Sequence, residues 1–182
     1  MGSEETRERI LKAAMELFTE KPYHEVSMDE IAKKSGVSKG GLFHHFPSKY
    51  ELARSVLFKL LDDWLKELEE RLDGLHGREM VPVLVNASFE MITSSPKLSR
   101  FFLELYEESL KRERSGEWDE FYRRYIGSVS GVLRSAGIRE PEKKALLLGA
   151  IVDGLALHYL LSGGRLFDVD EMKEEVLRIM EG

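Results

Sequence analysis

Serine hydroxyls and lysine ammonium groups, the side chains here best suited to hold an anion, gather in one stretch of this sequence. It is SMDEIAKKSGVSKGGLFHHFPSKYEL, from Ser27 to Leu52. Ser27, Ser38 and Ser48 each stand where a helix could be capped, and Glu30 and Glu51 follow two of them at capping-box spacing. Val26 with Ile31, and Val37 with Leu42, are placed as hydrophobic staples around the first two caps. Gly36 suits the left-handed residue that ends a helix. Helix N-termini offer backbone N–H groups and a positive dipole end to phosphate. Two short helices joined by a glycine turn, with a third following, read as a helix-turn-helix, so the chemistry indicated is recognition of DNA.

In such a motif the N-terminal residues of the second helix meet base edges in the major groove. Here that helix is expected from Ser38 to about Phe46. Leu42 and Phe46, four apart, face the core, which leaves Lys39 and Phe43 outside with Gly40 and His44 beside them. Lys39 is the candidate for a base or phosphate contact, since an ammonium can donate to guanine O6 and N7. The alternative is a solvated surface lysine. Gly40 and Gly41 each weaken a helix by about 1 kcal/mol relative to Ala. Either they mark a loose first turn, or they let the backbone approach DNA closely and leave specificity to DNA shape. Ser27 and Lys49 stand at helix N-termini suited to phosphate; for Ser27 a cap and nothing more is the alternative. His44 is read as touching the phosphate backbone and His45 as leaning toward the core. Adjacent helical positions diverge by about 100°, and no third ligand is well placed, so no metal is expected.

No catalytic constellation accompanies the motif. HExxH, GxSxG, Walker and dinucleotide signatures are all missing, and Asn86, Glu90, Glu104 and His158 are too dispersed to form a site. An enzyme is therefore not expected, nor a cofactor. The chain has no cysteine, which excludes disulfides and thiolate metal sites. Met1 to Lys12 is mostly polar, unlike a signal peptide, and a cytoplasmic location is the simpler expectation. Net charge is −6, unevenly spread: residues 1–50 are neutral and residues 51–182 carry the excess acid. Lys33, Lys34, Lys39 and Lys49, with Arg54 beyond, give the local basic footprint that DNA requires. The apolar run Ala145–Leu161 is short for a membrane span and carries Asp153 and His158, so it reads as a buried interface helix with no membrane partner.

These residues need a scaffold, and its pattern is helical throughout, with no sustained alternating strand signal. Hydrophobic residues make up 42% of the 182, enough for a sizeable core. A first helix over about Glu4–Glu20 sets Ile10, Ala14, Leu17 and Phe18 on one face and ends before Pro22. After Ser48 a long helix to about Asp73 follows, then helices from Pro82 to Ser94, Pro96 to Arg112, Glu117 to Ser135, Pro141 to Leu161 and Asp170 to Met180. With the two motif helices that makes nine, an all-α protein.

The segment TRERILKAAMELFTEKPYHEVSMDEIAKKSGVSKGGLFHHFPSKYEL, Thr6 to Leu52, closely resembles the DNA-binding domain of TetR-family transcriptional regulators. ILKAAMELF, the DEIAKKSGVSKG turn and the LFHHFPSKYEL ending fall in family order over about a quarter of the chain. The resemblance implies a three-helix DNA-binding domain over residues 1–48 and a six-helix ligand-sensing and dimerisation domain over residues 49–182. It implies a homodimer, usually a repressor, whose C-terminal domain senses a small molecule. Dimer symmetry then predicts a palindromic DNA operator, and the aromatic residues on the middle helices favour a small, largely apolar effector. Phosphate contacts would map onto Ser27, Phe43 and Lys49, and base-facing positions onto Lys39, Gly40 and Gly41, with Ser38 and His44 completing the DNA-facing set. Three departures matter: Phe43 replaces a usual tyrosine and loses its hydroxyl, Gly41 replaces a common threonine, and Pro22 stands at a usual glycine. Effector-pocket candidates are Trp64, Phe89, Phe102, Tyr106, Trp118, Tyr122 and Tyr125. A four-helix dimer seam would use Gly149, Ala150, Asp153, Gly154 and Ala156 of the eighth helix with Val169, Met172, Val176 and Met180 of the ninth.

Overall fold

The computed structural model describes residues 2–93, 96–112 and 116–182, apart from the side chain of Glu117. Among the described residues it contains nine α-helices and no strand. Helix α1 (Ser3–Glu20) buries Ile10, Leu11, Ala13, Ala14, Leu17 and Phe18, the stripe that a helical apolar repeat demands. Pro22 then holds extended backbone and leads into a short 3₁₀ turn, Tyr23–Glu25, for which no signal is evident in the sequence. Helix α2 (Met28–Ser35) follows. It ends at Gly36, whose φ of 68° is the left-handed conformation expected there. Val37 N–H donates to Ala32 carbonyl at 3.0 Å, completing the 6→1 bond of a Schellman turn. Helix α3 (Lys39–His45) and the long α4 (Lys49–Leu72) come next. A second 3₁₀ turn, Gly77–Glu79, precedes α5 (Met80–Thr93), which sets Pro82 in the first turn. Helices α6 (Pro96–Lys111), α7 (Gly116–Ser135), α8 (Pro141–Ser162) and α9 (Val169–Glu181) complete the order.

The chain divides into two compact units. The first is Met1–Leu61 with Arg100–Ser115, and the second is Asp62–Ser99 with Gly116–Gly182. The expected boundary at residue 48 differs from this division: packing places the start of α4 and most of α6 in the unit that holds the helix-turn-helix. Two contacts account for this. Phe101 of α6 stacks on Phe18 of α1 with ring centroids 5.1 Å apart, and both rings are fully buried. Glu104 Oε2 accepts the Tyr23 N–H at 2.6 Å, holding the 3₁₀ turn to α6. The α6 stripe of Phe101, Leu105 and Ser109 does not announce its partner in a local sequence pattern.

In the second unit α5 is the central element, packed on α7, α8 and α9. Leu84, Val85 and Ile92 of α5, Val129 and Leu133 of α7, Leu148 of α8 and Met180 of α9 are all fully buried. Trp64 of α4 donates its indole N–H to the Ala87 carbonyl at 3.2 Å.

Because Phe101 fills the centre of the first unit, Phe101→Ala should destabilise it by about 3–5 kcal/mol, the usual range for a buried aromatic cut to alanine. Urea unfolding followed by far-UV circular dichroism measures this. A loss under about 1 kcal/mol would show that the stack on Phe18 is not what holds α6 there.

Candidate nucleic-acid interface

The recognition helix is short and carries two glycines, so its conformation must be imposed at both ends. At the N-terminus Ser38 Oγ accepts the Gly41 N–H at 3.1 Å. At the C-terminus Phe46 turns to extended backbone, and its N–H still closes on the Leu42 carbonyl at 2.9 Å. Leu42 and Phe46 are buried as their spacing demands. The opposite face presents Ser38, Lys39, Gly40, Phe43 and His44 to solvent, with Gly41 half-buried. Phe43 is 40% exposed, unusual for a phenyl ring, and this leaves it available to pack on a sugar-phosphate backbone. His44 and His45 rings meet edge to face at 5.6 Å. No group of three metal-ligating side chains occurs among the described residues.

Ser27 caps α2 by accepting the Glu30 N–H at 3.1 Å and stays exposed. The capping box suggested by its spacing is only half made, because the Glu30 carboxylate turns to Lys21. That hydrogen bond and charge hold the Glu30 carboxyl below its ordinary range and raise the Lys21 ammonium. Two lysines of the basic footprint are likewise engaged. Lys34 reaches Glu16 at 3.0 Å, and Lys39 reaches Asp29 of α2 at 2.8 Å.

Lys49 is engaged differently. Its ammonium is folded inward, donating to the carbonyls of Tyr23 and Val26 at 2.9 Å each and lying 4.3 Å from the Tyr23 ring centroid. Burial lowers its pKa from the ordinary value. The side chain thus ties the start of α4 to the 3₁₀ turn. What Lys49 can offer phosphate is its place in the first turn of α4 rather than a free charge.

The seven pocket candidates fall in both units. Phe102 and Tyr106 lie on α6 in the first unit, and Tyr106 is 47% exposed. The other five belong to the second unit. Of these, Phe89 is buried core, and Trp64 stacks on buried Tyr125 with centroids 5.9 Å apart. Trp118 lies 6.2 Å from Tyr122, and the Tyr122 hydroxyl donates to Asp153 at 2.7 Å. Desolvation pushes the Asp153 carboxyl up, although the residue keeps an exposed edge, and the Tyr122 bond opposes that shift.

The expected seam also needs correction. Gly149 faces inward, where an added Cβ would meet Tyr125 Cε1 at 2.9 Å, so its missing side chain serves the protomer's own packing. Val176 and Met180 form the buried side of α9, within the chain's own core. Asp153 is tied to Tyr122 on its own chain. Ala150 is exposed, and Gly154, Ala156, Val169 and Met172 are partly so. The large side chains that do stand out are Leu146, Leu147, Leu157 and Leu161 of α8, Leu166 after it and Ile179 of α9. A helix with leucine on nearly every side gives no periodic cue to which leucines face outward.

Comparison with known proteins agrees with the geometry of the head. Residues 10–56 match the family model described as bacterial regulatory proteins, tetR family. The HTH-type transcriptional regulator UidR of Escherichia coli (strain K12) is 37% identical over 86 residues, covering 47% of this chain and 44% of that protein. The chain thus aligns with less than half the length of this curated relative. Over nearly the full length the fold is similar to that of Salmonella enterica GusR, with a TM-score of 0.73 and 26% identity, covering 97% of this chain and 95% of that one. It is also similar to a transcriptional regulator from Saccharomonospora viridis in complex with choline, with a TM-score of 0.76 and 25% identity, covering 98% and 96%.

Gly40 separates two explanations of the glycine pair. A Cβ there would meet nothing within 4 Å. Gly40→Ala should therefore stabilise the protein by about 0.5–1 kcal/mol. If DNA approaches the backbone closely, the same substitution weakens DNA binding. A thermal melt paired with a binding titration tests both halves, and unchanged affinity would assign Gly40 to a merely loose turn.

Proposed function

Because residues 10–56 match the model of the tetR family of bacterial regulatory proteins, we propose that this chain is a ligand-responsive DNA-binding transcriptional regulator of that family. In this reading it is a cytoplasmic repressor that binds a palindromic operator as a homodimer and is released by a small, largely apolar effector. The observation that carries the reading is α3: capped by Ser38, anchored by Leu42 and Phe46, and presenting Lys39, Gly40, Phe43 and His44 outward. Residues 1–48 read the DNA, and residues 49–182 sense the effector and dimerise. Two copies place α3 in successive major grooves, about 34–36 Å apart, which makes the operator palindromic.

The dimer is supported by α8. It is the one helix among the described residues long and apolar enough to cross a membrane, yet only 22% of its most apolar stretch is buried within the chain. Asp153 and His158 suit a protein partner better than lipid. A second copy would cover Leu147, Leu157 and Leu161 together with Ile179. The Trp64–Tyr125 and Trp118–Tyr122 ring pairs support an aromatic-lined site in the second unit. The choline complex of the Saccharomonospora viridis regulator supports small-molecule binding within this fold. Helix α4 runs unbroken from the first unit into the second, so an effector that favours a different α4 placement shifts the population away from DNA.

Two measurements test this reading. Sedimentation at micromolar concentration should give a dimer, and Leu161→Glu, altering a side chain 75% exposed, should give a folded monomer. A wild-type monomer would remove the dimer. Operator affinity should fall as salt rises, and Lys39→Ala should weaken binding with the fold intact. Salt-independent affinity would exclude phosphate contact.

A further inference from the structure

Asp29 stands where an acid is least expected on a DNA-binding face. It lies in the first turn of α2, two residues after Ser27, and Lys39 opens α3. The Lys39 ammonium meets both carboxylate oxygens of Asp29, at 2.8 Å and 3.1 Å, and each side chain is 64% exposed. The pair thus places one acceptor-only group and one donor-only group side by side at the N-termini of both motif helices. The two residues that follow Lys39, Gly40 and Gly41, carry no side chain.

A carboxylate repels phosphate, so Asp29 is unsuited to the backbone contacts available to Ser27. In the major groove its partners are the base amines, and cytosine N4 is the usual one for an acid. Lysine finds two acceptors on guanine, O6 and N7, whereas thymine offers only O4 beside its methyl group. Within one G·C pair the guanine acceptors and the cytosine amine are adjacent. The Asp29–Lys39 pair matches that order with opposite polarity. An exposed ion pair is worth about 0–1 kcal/mol, so little is lost when its members turn to the bases.

We propose that Asp29 and Lys39 act as one reader of a G·C base pair in each half-site, Lys39 on guanine and Asp29 on the paired cytosine. This rests on the DNA-reading function proposed above. It adds a specificity determinant on α2 and makes Lys39 a base contact rather than a general phosphate clamp.

The test is selection from random duplexes by the full-length protein, followed by titration of all four base pairs at each selected position. Wild type should prefer G·C at one position per half-site, by roughly 5- to 100-fold. Asp29→Ala should abolish that preference at the one position and leave the others unchanged. Asp29→Asn should move it toward A·T, because an amide pairs with adenine N6 and N7. Circular dichroism confirms that both variants fold. Uniformly tighter binding of Asp29→Ala to every duplex would overturn the proposal, because Asp29 would then only compete with DNA for Lys39. An unchanged preference, or A·T selected by wild type at that position, overturns it too. Wild-type protein that selects no sequence at all fails the DNA-reading function itself, an outcome distinct from these.

Discussion

Seven residues are too few for a helix to stand alone in water, and two of the seven in α3 are glycine. The rest of the first unit answers that constraint. Leu42 and Phe46 bury themselves against the unit, Ser38 closes the first turn, and the left-handed Gly36 sets the angle at which the helix leaves α2. Below them α1 presents its stripe of large side chains. Phe101 and Glu104 bring α6 onto the same core, one through ring stacking and the other through the Tyr23 N–H. The reading helix is thus held by burial from one side only, which leaves its other face free of structural duty.

The same economy governs charge. Residues 1–50 are neutral in sum, and the structure pairs much of that charge locally: Lys21 with Glu30, Lys34 with Glu16, Lys39 with Asp29. These bridges are exposed or half-exposed, so each is weak and readily exchanged for another anion. Lys49 is different. Its ammonium lies among backbone carbonyls and over a ring, where burial makes its charge harder to keep, and it holds shape instead of attracting DNA. Counting lysines in the sequence overstates the positive field that this face presents.

Much of the head was legible because its signals are local. Capping serines, a left-handed glycine and apolar residues four apart are each determined by neighbours within one turn, and the helices over residues 3–72 follow from them. What escaped were partners distant in sequence. Tyr23–Glu104 and Phe18–Phe101 join the 3₁₀ turn and α1 to α6, so the unit boundary could not be read from helix order. Local competition hid other features: Glu30 has capping-box spacing, but Lys21 offers its carboxylate a full charge. In the second unit the pocket and seam residues were chosen by residue type. Type does not report direction on a helix as evenly apolar as α8.

Glycine in α8 shows why type misleads there. Small residues permit close helix approach, which is the reasoning that assigned Gly149 and Gly154 to one seam. Yet an added Cβ at Gly149 would strike Tyr125, while at Gly154 it would meet nothing within 4 Å. The two glycines lie five residues apart, and at about 100° per residue that places them on different faces of the helix. The first admits Tyr125, whose burial pushes its phenol upward and which stacks on Trp64. The second leaves open space among leucines that remain uncovered within the chain. Even apolarity in α8 therefore spans two distinct environments, the core of its own unit and a surface left uncovered within the chain. Only the direction of each side chain separates them.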